Sequence, residues 1–231
     1  MGGKILLFFV LVSLSAQSQD IGPDVLFSKV IGDNIKTYTL KSQQAYADGD
    51  YEKAKFLFDS LINHVINGSY LDNFKVRKLS GRTIHFDYFK KPIFLLTYAS
   101  WCTPGVGEIP ALNDIANKHY KEIDFVILFW DSKENLKKIA REYNNKITIL
   151  YVDEKENKSD HIVETLKHSL GFPTFFFIDE SKMILDVRRS VLNQFNDKFT
   201  ISFNLNYNAF LNGISLLKNT GIEDSGLTLK E

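Results

Sequence analysis

A single cysteine, Cys102, stands in the 231 residues. No internal disulfide is possible, and no thiol pair can cycle between reduced and oxidised states within the chain. Neither sign of charge is in excess: 28 basic and 28 acidic side chains give a formal net charge of zero. The basic residues are scattered, so the electrostatic footprint of a nucleic-acid binder is missing. There is no phosphate-cradling glycine loop and no nucleophile elbow. Of the five histidines (His64, His85, His119, His161 and His168), only the last two fall on one expected helix, seven residues apart. With no cysteine or carboxylate cluster beside them they read as a solvated face, so no metal and no cofactor are expected. Asp153 to Lys158 lacks the alternating oxygens and the glycine of a calcium loop and reads as solvated.

What is present is ordinary globular composition, 44% hydrophobic and 24% charged, enough to build a core. The first 18 residues stand apart. Lys4 supplies a short positive region, Ile5 to Val12 is uninterruptedly apolar, and Ala16-Gln17-Ser18 offers small residues at a cleavage site. This is the layout of a secretory signal peptide and is shorter than the roughly 20 apolar residues of a membrane span. The mature chain is expected to start near Gln19 and to carry no membrane span, with an uncleaved anchor as the alternative. A lipoprotein would need a cysteine at the cleavage site, and none is there.

Residues 19–70 read as a helical extension. Ala45, Gly49, Tyr51, Ala54 and Phe58 resemble one tetratricopeptide-type hairpin, but no second copy exists to stack on it. A helical pair packed on the main domain is the simpler reading. From residue 71 the pattern changes. Asn73 to Leu79 alternates, Ser80-Gly81 turns, and Thr83 to Phe86 returns, predicting a hairpin. Pro92 to Ala99 predicts a buried strand, Gly105 to His119 a helix kinked at Pro110, and Phe125 to Trp130 a strand covered on both faces. Asp131-Ser132 caps a helix over Lys133 to Tyr143. Ile147 to Val152, Phe175 to Ile178 and Met183 to Val187 complete the strands, with a helix over Asp160 to Leu170 between the first two. Residues 191–231 are expected to hold a helix, Leu205 to Lys218, and a polar tail containing Gly221, Ser225 and Gly226. Strands alternating with helices and a closing hairpin make an α/β protein with a mixed sheet.

Cys102 falls just past the end of one strand and just before a helix. Such a place puts the sulfur at a helix N-terminus, where unpaired N–H groups favour the thiolate, so a lowered thiol pKa is expected. The partner of a C-x-x-C pair would stand at position 105, which is glycine.

Tyr98 to Pro104, followed by Glu108-Ile109-Pro110-Ala111-Leu112, resembles the thioredoxin-like superfamily, in particular its exported thiol–disulfide oxidoreductases of redoxin type. Gly171-Phe172-Pro173-Thr174 resembles that family's cis-proline loop. The resemblance covers Phe74 to Val187 and implies a thioredoxin-like domain over residues 71–190, a mixed central sheet flanked by helices. It implies Cys102 as the attacking thiol, and Trp101, Thr103, Pro104, Phe172, Pro173 and Thr174 as the surface that holds a substrate strand. The departures are as informative. Gly105 replaces the resolving cysteine, and Leu96 stands six residues before Cys102, where thioredoxins resemble one another in carrying a buried acid. The Thr expected three residues before a peroxiredoxin-type cysteine is Ala99.

Two readings follow. In one, Cys102 exchanges with a thiol or disulfide of a partner protein in the bacterial cell envelope, most simply the periplasm, and an external thiol reductant completes the turnover. In the other, the chain is a thioredoxin-fold module that binds a peptide or protein without turnover.

Overall fold

The computed structural model describes residues 25–156, 160–167, 170–189 and 198–223. The expected signal segment, His168, and Ser225 and Gly226 of the tail lie outside these residues. The described chain runs α1 (Phe27–Ala47), α2 (Tyr51–Leu61), a π turn (Ile62–Ile66), β1 (Lys75–Lys78), β2 (Thr83–His85), β3 (Ile93–Tyr98), α3 (Glu108–His119), β4 (Asp124–Trp130), α4 (Lys133–Ile139), β5 (Ile147–Val152), α5 (Asp160–Ile162), which runs into a second π turn, β6 (Thr174–Ile178), β7 (Ile184–Arg189) and α6 (Phe199–Glu223).

The seven strands form one sheet in the order β2-β1-β5-β4-β3-β6-β7. Its centre, β5-β4-β3, is parallel, and an antiparallel hairpin closes each side. Side chains alternate across a strand, so a continuous apolar run splits between two cores. Ile93, Leu95, Val126, Leu128, Trp130, Phe176 and Ile178 enter one core, and Phe94, Leu96, Phe125, Ile127, Phe129, Phe175 and Phe177 the other. The Phe175-Phe176-Phe177 run is therefore a strand that must satisfy both faces.

The first face is covered by the N-terminal helices: Phe27 of α1 is fully buried and meets Phe176 edge-on at 5.7 Å. The α1–α2 turn needs a left-handed residue, supplied by Gly49 at φ +71°, and Asp50 caps α2 by accepting from the Lys53 N–H. α3, α4 and α6 cover the second face. Burying both faces makes a three-layer α/β/α arrangement, which is the thioredoxin-like fold that the sequence implied.

Several expected helix limits move. α6 begins at Phe199 rather than Leu205 and includes Gly221, which the sequence placed in the tail. α4 stops at Ile139 and ends in a 3-10 turn, Ala140–Glu142. Asp160 starts only a three-residue helix before the π turn Val163–Lys167. The change with a functional consequence is at α3, which begins at Glu108 and not Gly105.

Candidate active site

Cys102 sits in the connection between β3 and α3. Its N–H donates to the Ala99 carbonyl (2.9 Å), folding the chain sharply after the strand. Residues 102–105 are irregular, and the first helical residue of α3 is six positions beyond the sulfur's residue. The expected placement of the thiol at a helix N-terminus is thus corrected. Macrodipole stabilisation is concentrated in the terminal turn, and Cys102 is not a residue of that turn. Pro104 lies outside the helix too, so it does not open the first turn. Pro110 instead occupies that turn, where the missing N–H costs no helical bond, and the expected mid-helix kink loses its cause.

The thiol's electrostatics follow from this placement. Cys102 is half-buried against the α3-side core, and burial pushes its pKa up. A backbone hydrogen bond at Ala99 pulls the other way without prevailing, and the charge of Glu108 adds to the rise. The expected lowering of the thiol pKa is therefore reversed. Glu108 entered the sequence reading only as part of a motif, with no role assigned. It is 4% exposed, and its charge also raises the phenols of Tyr98 and Tyr143, whose pKa values burial has already pushed up. An acid at the first position of a helix whose neighbours Ile109 and Leu112 face the core was the available signal. Leu96, 1% exposed in β3, supplies no charge from the strand side. Exchanging Glu108 for Gln is expected to lower the Cys102 pKa and to speed its alkylation at neutral pH, read as the pH dependence of iodoacetamide labelling.

The loop is held from three directions. The Gly107 N–H donates to the Ser202 hydroxyl of α6 (3.0 Å), and a Cβ on Gly107 would lie 2.1 Å from the Phe203 nitrogen. On the other side, the Ser100 hydroxyl donates to Asp131, whose other oxygen accepts from the Ser132 N–H (2.6 Å) and Asn135 Nδ2 (2.7 Å) at the start of α4. Asp131 thus ties the loop to a helix cap. Its replacement by Ala is expected to cost about 1–2 kcal/mol in chemical denaturation, since its hydrogen bonds to Ser100, the Ser132 N–H and Asn135 go together.

The third tie is aromatic. Trp101, 74% exposed, meets Phe172 edge-on at 6.1 Å, and Phe172 in turn packs near Trp130 at 6.3 Å. This pair joins the Cys102 loop to the loop before β6, where the Phe172–Pro173 peptide is cis and Gly171 takes φ +82°. Phe172 and Pro173 are half-exposed. Thr103 is exposed and Pro104 half-buried. Thr174 differs: it is 1% exposed, and its hydroxyl donates to the Gly171 carbonyl (2.9 Å), which holds that loop's shape. His161, read as solvated, has Nε2 3.3 Å from the Asp72 carboxylate. No helix of the described residues is long and apolar enough to cross a membrane.

The family model of the AhpC/TSA family matches residues 68–187. The chain belongs to the AhpC/TSA family. It is a thioredoxin-like redoxin. The thiol-disulfide oxidoreductase ResA of Bacillus thuringiensis subsp. konkukian is 30% identical over 126 residues, 52% of this chain and 69% of that protein. The thioredoxin-like protein YneN of Bacillus subtilis is 24% identical over 124 residues, 52% of this chain and 69% of that protein. Among solved structures, the thioredoxin domain of a thiol-disulfide oxidoreductase from Bacteroides vulgatus superposes with a TM-score of 0.49 at 18% identity, over 63% of this chain and 96% of that one. The family match begins at residue 68 and ends at Val187, so α1, α2 and α6 lie outside it.

Proposed function

We propose that this redoxin performs single-thiol disulfide exchange at Cys102 on a partner protein of the cell envelope. The observation that carries the reading is a partly exposed Cys102 beside an exposed Trp101 that rests on Phe172. Phe172, Pro173, Trp101, Thr103 and Pro104 form the surface against which a partner's chain lies, while Thr174 shapes it from below. Export is part of the proposal, supported by the charged, apolar and small-residue order of residues 1–18.

The exchange balances simply. Cys102 loses its proton to solvent, its sulfur attacks one sulfur of the partner's disulfide, and the other partner sulfur leaves as a thiolate that takes up a proton. One S–S bond forms as one breaks; Cys102 is oxidised and the leaving sulfur reduced. An external thiol must then release the mixed disulfide, because position 105 offers none.

The raised thiol pKa favours a second reading, a binding module in which the same surface holds a peptide and the sulfur is incidental. Replacement of Cys102 by Ala separates the two. Covalent partner adducts trapped from the cell envelope vanish in the first reading, and non-covalent capture persists unchanged in the second.

A further inference from the structure

A second concavity lies beside β7, the strand at one edge of the sheet. It is a cavity of about 570 Å³ between α2 and the open edge of β7, partly built by helices that the family match does not cover. That volume is ample for a small organic ligand, and its walls are mainly apolar. Tyr46 and Tyr51, 48% and 69% exposed, meet edge-on at 6.2 Å on one side. Phe58 lies beneath, with the Arg189 guanidinium 4.2 Å above its ring.

The charges of the lining do not cancel. Lys55 is paired with Asp59 (2.5 Å), and Arg188 with Asp186 (2.6 Å). Arg189 has only neutral partners among the described residues: the Tyr38 hydroxyl (2.8 Å), the Leu170 carbonyl (3.4 Å) and the Phe58 ring. A planar, permanently charged guanidinium beside aromatic walls suits an anion carrying an apolar body. A peptide adding itself as an eighth strand suits the place less well. The segment Gly68 to Leu71 already covers the first part of β7, and the Val187 N–H is occupied by the Asp186 carboxylate at 2.9 Å.

We propose that this cavity binds a small amphipathic organic anion, its aromatic or branched apolar body on Tyr46, Tyr51 and Phe58 and its carboxylate on Arg189. The lining residues differ from those of the proposed thiol surface, and the cavity borders that surface where Arg189 pairs with Thr174 and donates to the Leu170 carbonyl.

The test is a calorimetric and fluorescence titration of the full chain with 8-anilinonaphthalene-1-sulfonate, whose sulfonate stands in for the carboxylate, and with its uncharged counterpart N-phenyl-1-naphthylamine. Saturable binding of one sulfonate per chain is expected. Arg189→Gln should weaken it about tenfold, the worth of one charge-assisted hydrogen bond, and leave the neutral amine unaffected. Arg189→Lys, which keeps the charge and guards against a fold defect, should retain most of the affinity, and Tyr51→Ala should weaken both probes. Iodoacetamide labelling of Cys102 should be the same in every variant. No saturable binding, or sulfonate binding equally tight in Arg189→Gln, overturns the proposal.

Discussion

Replacing Gly107 with Ala will destabilise the protein by about 3 kcal/mol, a large effect for one methyl group. A Cβ there would stand 2.1 Å from the Phe203 nitrogen, 2.5 Å from its Cα and 2.6 Å from the Ser202 carbonyl carbon. These are backbone atoms of α6 and cannot turn aside as a side-chain tip would. Either α6 retreats or the Cys102 loop moves, and the Gly107–Ser202 hydrogen bond is lost in both cases. A chain of this length should melt roughly 6–12 °C lower for that loss. Because Gly107 leads directly into α3, the same variant should also alter Cys102 labelling. The position therefore couples the C-terminal helix to the thiol's surroundings.

The second large effect concerns the lifetime of a mixed disulfide. Oxidised glutathione is expected to place one glutathionyl group per chain on Cys102, and Cys102→Ser to take none. Once formed, the adduct should persist. No internal thiol can attack it, and a thiol of raised pKa is a slow leaving group when an external thiol attacks the other sulfur. Installing the absent partner with Gly105→Cys should change this by orders of magnitude. Well-aligned internal groups reach effective concentrations of about 10⁵ M, so even imperfect geometry should shorten the adduct's life at least about a hundredfold. Intact-mass time courses read both variants directly.

The fold was legible because its signals are of the kind that pattern reading captures. β4 and β6 are apolar on both faces, and their alternation between two cores follows from strand geometry alone. The Lys78–Gly81 turn was legible for a similar reason: Gly81 takes φ +95° and its N–H bonds the Lys78 carbonyl at 2.7 Å. The start of α3 was misread because Pro104 and Gly105 resemble a helix opening locally. The contact that decides the matter, Gly107 against Ser202, joins residues 95 positions apart. The thiol's pKa was misread as a consequence, since the helix was placed too close. The roles of Glu108 and Asp131 at the loop were hidden for the same reason. An acid's effect on a sulfur depends on burial, which the α3-side core creates as a whole and no short motif encodes.

The most direct test of the account is the rate of Cys102 alkylation in the folded chain as a function of pH, beside an unstructured cysteine peptide. Only the thiolate reacts, so the rate climbs about tenfold per pH unit until the thiol's pKa is passed. The partly buried sulfur should label completely, with its plateau at a higher pH than the peptide's and shifted back down in Glu108→Gln. A plateau at lower pH than the peptide's, or a folded chain that never labels, would contradict an accessible thiol held protonated by its surroundings.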